Sequence, residues 1–353
     1  MKSPVGFLPW QKDIARQWLS ERDRFSHAWL IHGLAGIGKR QFALAAAASL
    51  LCEAPVEGLA CGSCPACAWV ASGNHPDLRR IRPEAVAALE GDDSAAEATE
   101  SGATKKAPSK DIRVEQLRAL HDWFNTATHR GGWRVAVLYP AESLNLISAN
   151  ALLKVLEEPP VHTVFLLTAD APDRLLPTLV SRCRRLPLPI PDPIQCLPWL
   201  NQQGLAEPSQ WLAVAGGAPL LALERSQLDS QACPEWMERF LDSLASGRSP
   251  QIGPLADLLE QKAPTLWIDY LQRLLVDLSL AAVNGPVRYF PVQEAKIQKI
   301  AGRASASRLA DGAKWLNSQR AVAGHPLSAK LFTHTVLQRV AQDCSPDSYK
   351  EVA

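Results

Sequence analysis

Two short segments carry residue types whose spacing suits chemistry. In the first, Gly33-Leu34-Ala35-Gly36-Ile37-Gly38-Lys39 follows the first seven positions of the phosphate-loop pattern G-x-x-x-x-G-K-[ST]. Gly33, Gly36 and Gly38 would let backbone N–H groups wrap phosphate oxygens. Lys39 would add a point charge, and the start of a following helix its positive dipole end. The eighth position is Arg40. A magnesium-dependent site needs a Ser or Thr hydroxyl there, and a guanidinium has no lone pair to offer a cation. Descent from a phosphate loop and hydrolysis by it are therefore separate matters. Hydrolysis is disfavoured by this residue alone, and nucleotide occupancy stays open. The plain alternative is a glycine turn that only lets a helix pack on a strand.

The second segment is Cys52, Cys61, Cys64 and Cys67, spaced C-x8-C-x2-C-x2-C. Two x2 steps deliver three sulfurs from one knuckle, and Cys52 closes the set. Four thiolates in a tetrahedron are what Zn2+ prefers, and with no open position the site would be structural. The alternatives are four free thiols, or a zinc knuckle that grips nucleic acid. The neighbours Ala60, Gly62, Ser63, Pro65, Ala66 and Ala68 carry no charge, which weakens the latter.

These residues need elements to hold them. An amphipathic opening at 10–19 puts Ile14, Trp18 and Leu19 on one face. The apolar run 28–32 suits a buried strand, the glycines follow it, and 40–51 is an Ala/Leu-rich helix. Strand, glycine loop and helix open an α/β domain. The cysteines lie in a loop-rich excursion after that helix. Residues 84–110 lack apolar periodicity and read as a mobile surface insertion. A helix through Val114, Leu117, Leu120 and Phe124 follows. Residues 134–139 and 163–168 read as further buried strands, with a helix at 148–158 stopped by Pro159-Pro160. The Pro-rich run 186–193 reads as a linker. Beyond it only helical patterns occur, such as Trp267, Leu271, Leu274, Leu275 and Leu278 within 266–282.

Length and charge bound the rest. A chain of 353 residues suits two or three domains. Its 37 Lys+Arg balance 36 Asp+Glu, so no overall basic field grips nucleic acid. No stretch approaches the ~18 apolar residues of a membrane span, and no secretory core follows the N-terminus. A cytoplasmic chain is expected, where clustered cysteines read as metal ligands rather than disulfides.

Further segments resemble the bacterial clamp-loader ATPases of the AAA+ class. Ser148-Ala149-Asn150-Ala151-Leu152-Leu153-Lys154-Val155-Leu156-Glu157-Glu158-Pro159-Pro160 looks like a helix shared by that family, and Ser181-Arg182-Cys183 like its Ser-Arg-Cys motif. A four-cysteine module directly after the first loop-bound helix is also found there. The resemblance is specific over residues 1 to about 225 and rests on helical content alone beyond. It implies an α/β fold: a RecA-like AAA+ parallel-sheet domain (1–188) with the zinc module (52–67) and the insertion (84–110), a small helical lid (189–228), and an all-α collar (229–353) for oligomer contacts.

Departures from the family's motor pattern suggest a role. Motors carry an Asp-Glu pair after a buried strand, where this chain has Tyr139 and Pro140; Glu142 comes two positions late. Motors carry a lid arginine in Gly-Ser-x-Arg, where Gly217-Ala218-Pro219-Leu220 ends in leucine. Magnesium ligand, water activator and lid sensor are all replaced. The resemblance then implies a non-hydrolysing stator of the DNA polymerase III clamp loader. Its partners would be gamma/tau motor and delta subunits in a hetero-pentamer, acting on the sliding clamp and primed DNA. Arg182 would be a trans arginine finger to ATP on a neighbouring motor, a contribution of about 10³–10⁵ in rate in phosphoryl transfer. The bland reading of Arg182 is a salt-bridged surface arginine, with Arg184 and Arg185 beside it. Glu157 and Glu158 read as solvated helix-end charges, and His75, Asp77 and His27 as turn or packing residues. The rivals are an active motor of the same family and a free-standing nucleic-acid-binding zinc-knuckle protein.

Overall fold

Runs of consecutive apolar residues, rather than alternating ones, mark strands buried on both faces. In the computed structural model, which describes residues 6–20, 25–91, 107–129, 132–324 and 328–345, three such runs form the heart of one sheet. They are β1 (Ala28–His32), β3 (Arg134–Leu138) and β4 (Thr163–Ala169). The shorter β2 (Leu78–Ile81) and β5 (Arg184–Pro187) flank them. The order is β2-β3-β4-β1-β5, and every pairing is parallel. Ile81, Leu138, Leu167 and Leu30 stand in register across four strands. The first strand lies between the fourth and fifth, the RecA-like AAA+ arrangement that the sequence implied.

Helices cover the sheet. A 3-10 turn (Pro9–Gln11) leads into α1 (Lys12–Leu19), and α2 is Lys39–Leu51. Ala43, Ala45, Ala46, Ala47 and Ala48 are almost fully buried, so small side chains let α2 lie close on β3 and β4. Next come α3 (Pro65–Ser72), α4 (Glu84–Leu89), α5 (Val114–Phe124), α6 (Leu146–Glu157) and α7 (Pro177–Arg182); α8 (Pro193–Gln202) follows the last strand in the chain. Leu117, Leu120, Leu152 and Leu156 pack into one core with Leu30, Leu138 and Phe165. Asn145 caps α6 by accepting from the Ser148 N–H at 2.9 Å, so this helix starts two residues before the expected Ser148.

Two features differ from the sequence reading. The run taken as linker from 186 begins inside β5, whose Pro187 is tolerated because the strand is an edge. The insertion expected over 84–110 opens with α4, while residues 92–106 lie outside the described set.

The chain divides into two units, Met1–Cys196 and Leu197–Ala353. In the second, the only regular elements among its described residues are helices. It comprises α9 (Pro208–Val214), α10 (Pro219–Leu228), α11 (Glu235–Ser246), α12 (Ile252–Leu259), α13 (Pro264–Ala282), α14 (Glu294–Ala301), α15 (Ala306–Val322) and α16 (Ala329–Asp343). Trp267, Ile268, Leu271, Leu274, Leu275 and Leu278 of α13 form its buried stripe, against α14 and α15. Asp269 of α13 meets Arg225 of α10, Arg273 one turn on, and Arg320 of α15. No described helix is long and apolar enough to cross a membrane.

Candidate phosphate site and cysteine cluster

The glycine loop runs from the carboxyl end of β1 into α2, the edge of a parallel sheet where such folds bind ligands. Gly33 has φ +153°, and a Cβ there would lie 2.6 Å from the Leu188 carbonyl oxygen. Gly38 caps α2 in the left-handed region at φ 93°. Lys39 is 6% exposed, and its ammonium is fully engaged. Nζ donates to the carbonyl oxygens of Gly33 (2.9 Å) and Leu34 (2.6 Å) and pairs with Asp170 Oδ1 at 2.5 Å. An ammonium has three donors. A phosphate would have to displace one of these acceptors. The outer carbonyls of the loop are held from the N-terminal segment: Trp10 Nε1 donates to Ile37, and Gln11 Nε2 to Ile37 and Gly38. A cavity of about 240 Å³ adjoins the loop, lined by Trp10, Ile14, Ile37, Leu188, Ile190 and others.

Arg40 and Tyr139, the two positions where the sequence lacks metal-site residues, meet on one carboxylate. Arg40 NH1 donates to Glu90 Oε1 at 3.0 Å, and the Tyr139 hydroxyl donates to Glu90 Oε2 at 3.0 Å. Arg82 Nε pairs with the same Oε2 at 2.8 Å. Glu90 directly follows α4 and is 16% exposed; Arg82 and Tyr139 are buried. Burial lifts the Tyr139 phenol above its ordinary range, so it remains a donor. Two guanidinium groups and a phenol take three of this carboxylate's acceptor sites, and a divalent cation approaching it meets two positive charges. The sequence reading did not single out Glu90. Its signal was slight, one acid after an Ala-rich run, where the polar stretch begins.

Glu142, the acid two positions beyond the expected water activator, is also engaged. Its Oε1 accepts the Asp170 and Ala171 N–H groups at 2.5 and 2.7 Å, clasping the turn after β4. His75 Nδ1 accepts the Asp77 N–H at 3.1 Å, and the Asp77 carboxylate accepts the His129 N–H. Both are turn residues, in line with the sequence reading.

The four cysteines come together, with their sulfurs all within 4.8 Å of one another. Cys52 and Cys61 sulfurs are 3.5 Å apart, Cys52 and Cys64 3.8 Å, and Cys61 and Cys67 4.0 Å. A tetrahedron with arms of ~2.3 Å has edges of ~3.8 Å, so the set fits zinc. Backbone N–H groups of Cys61, Cys64 and Cys67 point at the sulfurs of Cys52, Cys61 and Cys64. Such donors favour thiolate over thiol, but burial outweighs them at Cys52 and Cys67, whose thiols are pushed up. Hydrogen bonds from Ser63, backbone and then hydroxyl, and from the Cys64 N–H pull the Cys61 thiol down to about 6. None of the eight cysteines forms a disulfide.

Arg182 ends α7, and its side chain is partly exposed. Its NH1 donates to the Thr178 carbonyl oxygen at 2.9 Å and its NH2 to Glu157 Oε1 at 2.5 Å. Glu157 is thus paired, where the sequence reading had a solvated charge. Cys183 is buried, which pushes its thiol up to about 12. The Arg184 guanidinium stacks over the Trp29 ring at 5.0 Å, which separates its role from that of Arg182. Leu220 lies in α10 of the second unit.

A five-stranded parallel sheet in this order, with a glycine loop leaving its first strand, defines an α/β protein of the AAA+ class with a helical C-terminal part. Comparison with known proteins narrows the class. A family model described as "DNA polymerase III, delta subunit" matches residues 11–192. DNA polymerase III subunit delta-prime of Pseudomonas aeruginosa is 38% identical over 255 residues, covering 70% of each chain. The delta-prime subunit of Yersinia pestis is 34% identical over 288 residues, covering 77% of this chain and 76% of the relative. Among solved structures, a DNA polymerase III gamma-subunit-related protein of Thermotoga maritima has TM-score 0.44 and 14% identity, covering 95% of this chain and 99% of that one. The chain belongs to the family of DNA polymerase III delta-prime subunits.

Proposed function

We propose that this chain is the stator of the bacterial clamp loader. It joins gamma/tau motor and delta subunits in a cytoplasmic hetero-pentamer that loads the sliding clamp on primed DNA. It hydrolyses no ATP itself and lends Arg182 to ATP bound on a neighbouring motor. The reading takes residues 1–188 as AAA+ domain, 189–228 as lid and 229–353 as oligomerising collar. Cys52, Cys61, Cys64 and Cys67 hold a structural Zn2+, which braces the chain between α2 and α3 and takes no part in the reaction.

The observation that carries the reading is the joining of Arg40 and Tyr139 through Glu90. A motor site needs a hydroxyl and a carboxylate at those positions to hold magnesium. Gly33, Gly36, Gly38 and Lys39 keep the form of a phosphate loop, but Lys39 Nζ is held by Gly33, Leu34 and Asp170, one of which ATP would have to displace. Family membership supports the setting, and the partial exposure of Arg182 supports its use by a neighbour.

The purified chain should show no magnesium-dependent ATP turnover, and robust turnover would overturn the stator reading. In the reconstituted complex, Arg182→Ala should leave assembly intact and slow hydrolysis at the neighbouring site by at least about tenfold. An unchanged DNA-stimulated ATPase removes Arg182 from the mechanism.

A further inference from the structure

We propose that Glu157 is a positioning residue for Arg182, an inference that rests on Arg182 acting at a neighbour's ATP. An arginine on an open surface samples many rotamers, and a finger must present one. Here two acceptors fix the guanidinium. The Thr178 carbonyl, one turn back on α7, takes NH1 at 2.9 Å, and the Glu157 carboxylate takes NH2 at 2.5 Å. Two anchors on different nitrogens set the plane of a rigid planar group. A guanidinium has five N–H donors. Three therefore remain for a phosphate.

The anchor is specific to this pair of helices. Glu157 is the last residue of α6, where a carboxylate meets the negative end of the helix dipole. An acid is disfavoured there unless a cation stands against it, and Arg182 is that cation. Arg182 in turn ends α7, so the guanidinium faces the carboxyl ends of two helices whose ladders are fixed by the domain core. Both residues keep solvent contact, with side-chain exposures of 35% and 49%. A partner subunit's phosphate can therefore reach the group without unfolding anything.

The arrangement separates acceptor from charge. A glutamine at 157 still offers an oxygen to NH2, while alanine offers none. The test is steady-state ATPase of the reconstituted complex with primed DNA and clamp, using Glu157→Ala, Glu157→Gln, Arg182→Ala and the Glu157→Ala/Arg182→Ala double variant. Glu157→Ala should lower kcat about fivefold with KM for ATP unchanged. Glu157→Gln should retain at least about half of the wild-type rate, since its oxygen still orients the guanidinium. In the Arg182→Ala background, Glu157→Ala should add nothing, because its effect passes through the arginine. Wild-type kcat in Glu157→Ala, a faster rate, or an undiminished fall in the Arg182→Ala background each overturns the proposal. If Arg182→Ala alone leaves the rate unchanged, the finger reading fails first and this proposal with it.

Discussion

At the residue scale, the informative position is Glu90. One carboxylate gathers Arg40 from the start of α2, Arg82 after β2 and Tyr139 after β3. Removing its charge takes a partner from the buried Arg82, the half-exposed Arg40 and the buried Tyr139 hydroxyl. Glu90→Gln should cost about 2–3 kcal/mol in urea unfolding, since breaking a buried pair leaves the partner charge uncompensated. A loss under about 0.5 kcal/mol would mean that the cluster contributes little, as exposed pairs do. Gly33 is a second single-residue constraint. Its Cβ would meet a main-chain oxygen, and backbone cannot swing aside as a long side chain does. Gly33→Ala should therefore lower stability by about 2 kcal/mol or more, measured the same way.

At the scale of elements, the sequence made some parts legible and hid others for physical reasons. The strands β1, β3 and β4 were legible because burial on both faces demands unbroken apolar runs. β2 and β5 were not: only Leu78 and Ile81 of β2 are buried, and β5 reads Arg-Arg-Leu-Pro at an open edge. The cysteine cluster was legible because its spacing is local, and the structure closes it without any distant residue. The Glu90 cluster was hidden because it joins residues 40, 82, 90 and 139, which no spacing rule connects. The Arg182–Glu157 pair was hidden in the same way. The cysteine module yields its own expectation. At neutral pH a strong chelator should open Cys52, Cys61, Cys64 and Cys67 to alkylation. Burial pushes the thiols of Cys183, Cys196 and Cys344 up to about 12, so they should stay unmodified while the domains are folded. Mass spectrometry counting modified cysteines checks this. Alkylation of the four without chelator, in a reduced sample, would count against a bound metal.

At the scale of the whole molecule, the near balance of 37 basic and 36 acidic residues limits what the chain does alone. A protein that grips DNA by itself releases several counterions and loses affinity steeply with salt. Titrated alone against primed DNA between low and moderate salt, this chain should bind weakly with a log–log slope shallower than about −2. A steep slope would favour the free-standing nucleic-acid binder. Each unit has its own buried apolar set, the sheet core in Met1–Cys196 and the α13 stripe in Leu197–Ala353.

The contact between Arg40, Glu90 and Tyr139 also bears on ancestry, because it works as a ratchet. A hydroxyl at position 40 removes one of the two guanidinium partners of Glu90 and leaves Arg82, and a carboxylate at 139 sets two acids face to face. Each backward step alone is worse than the present state. On the proposed stator reading, a lineage holding these three residues regains a metal site only against a cost at each single substitution.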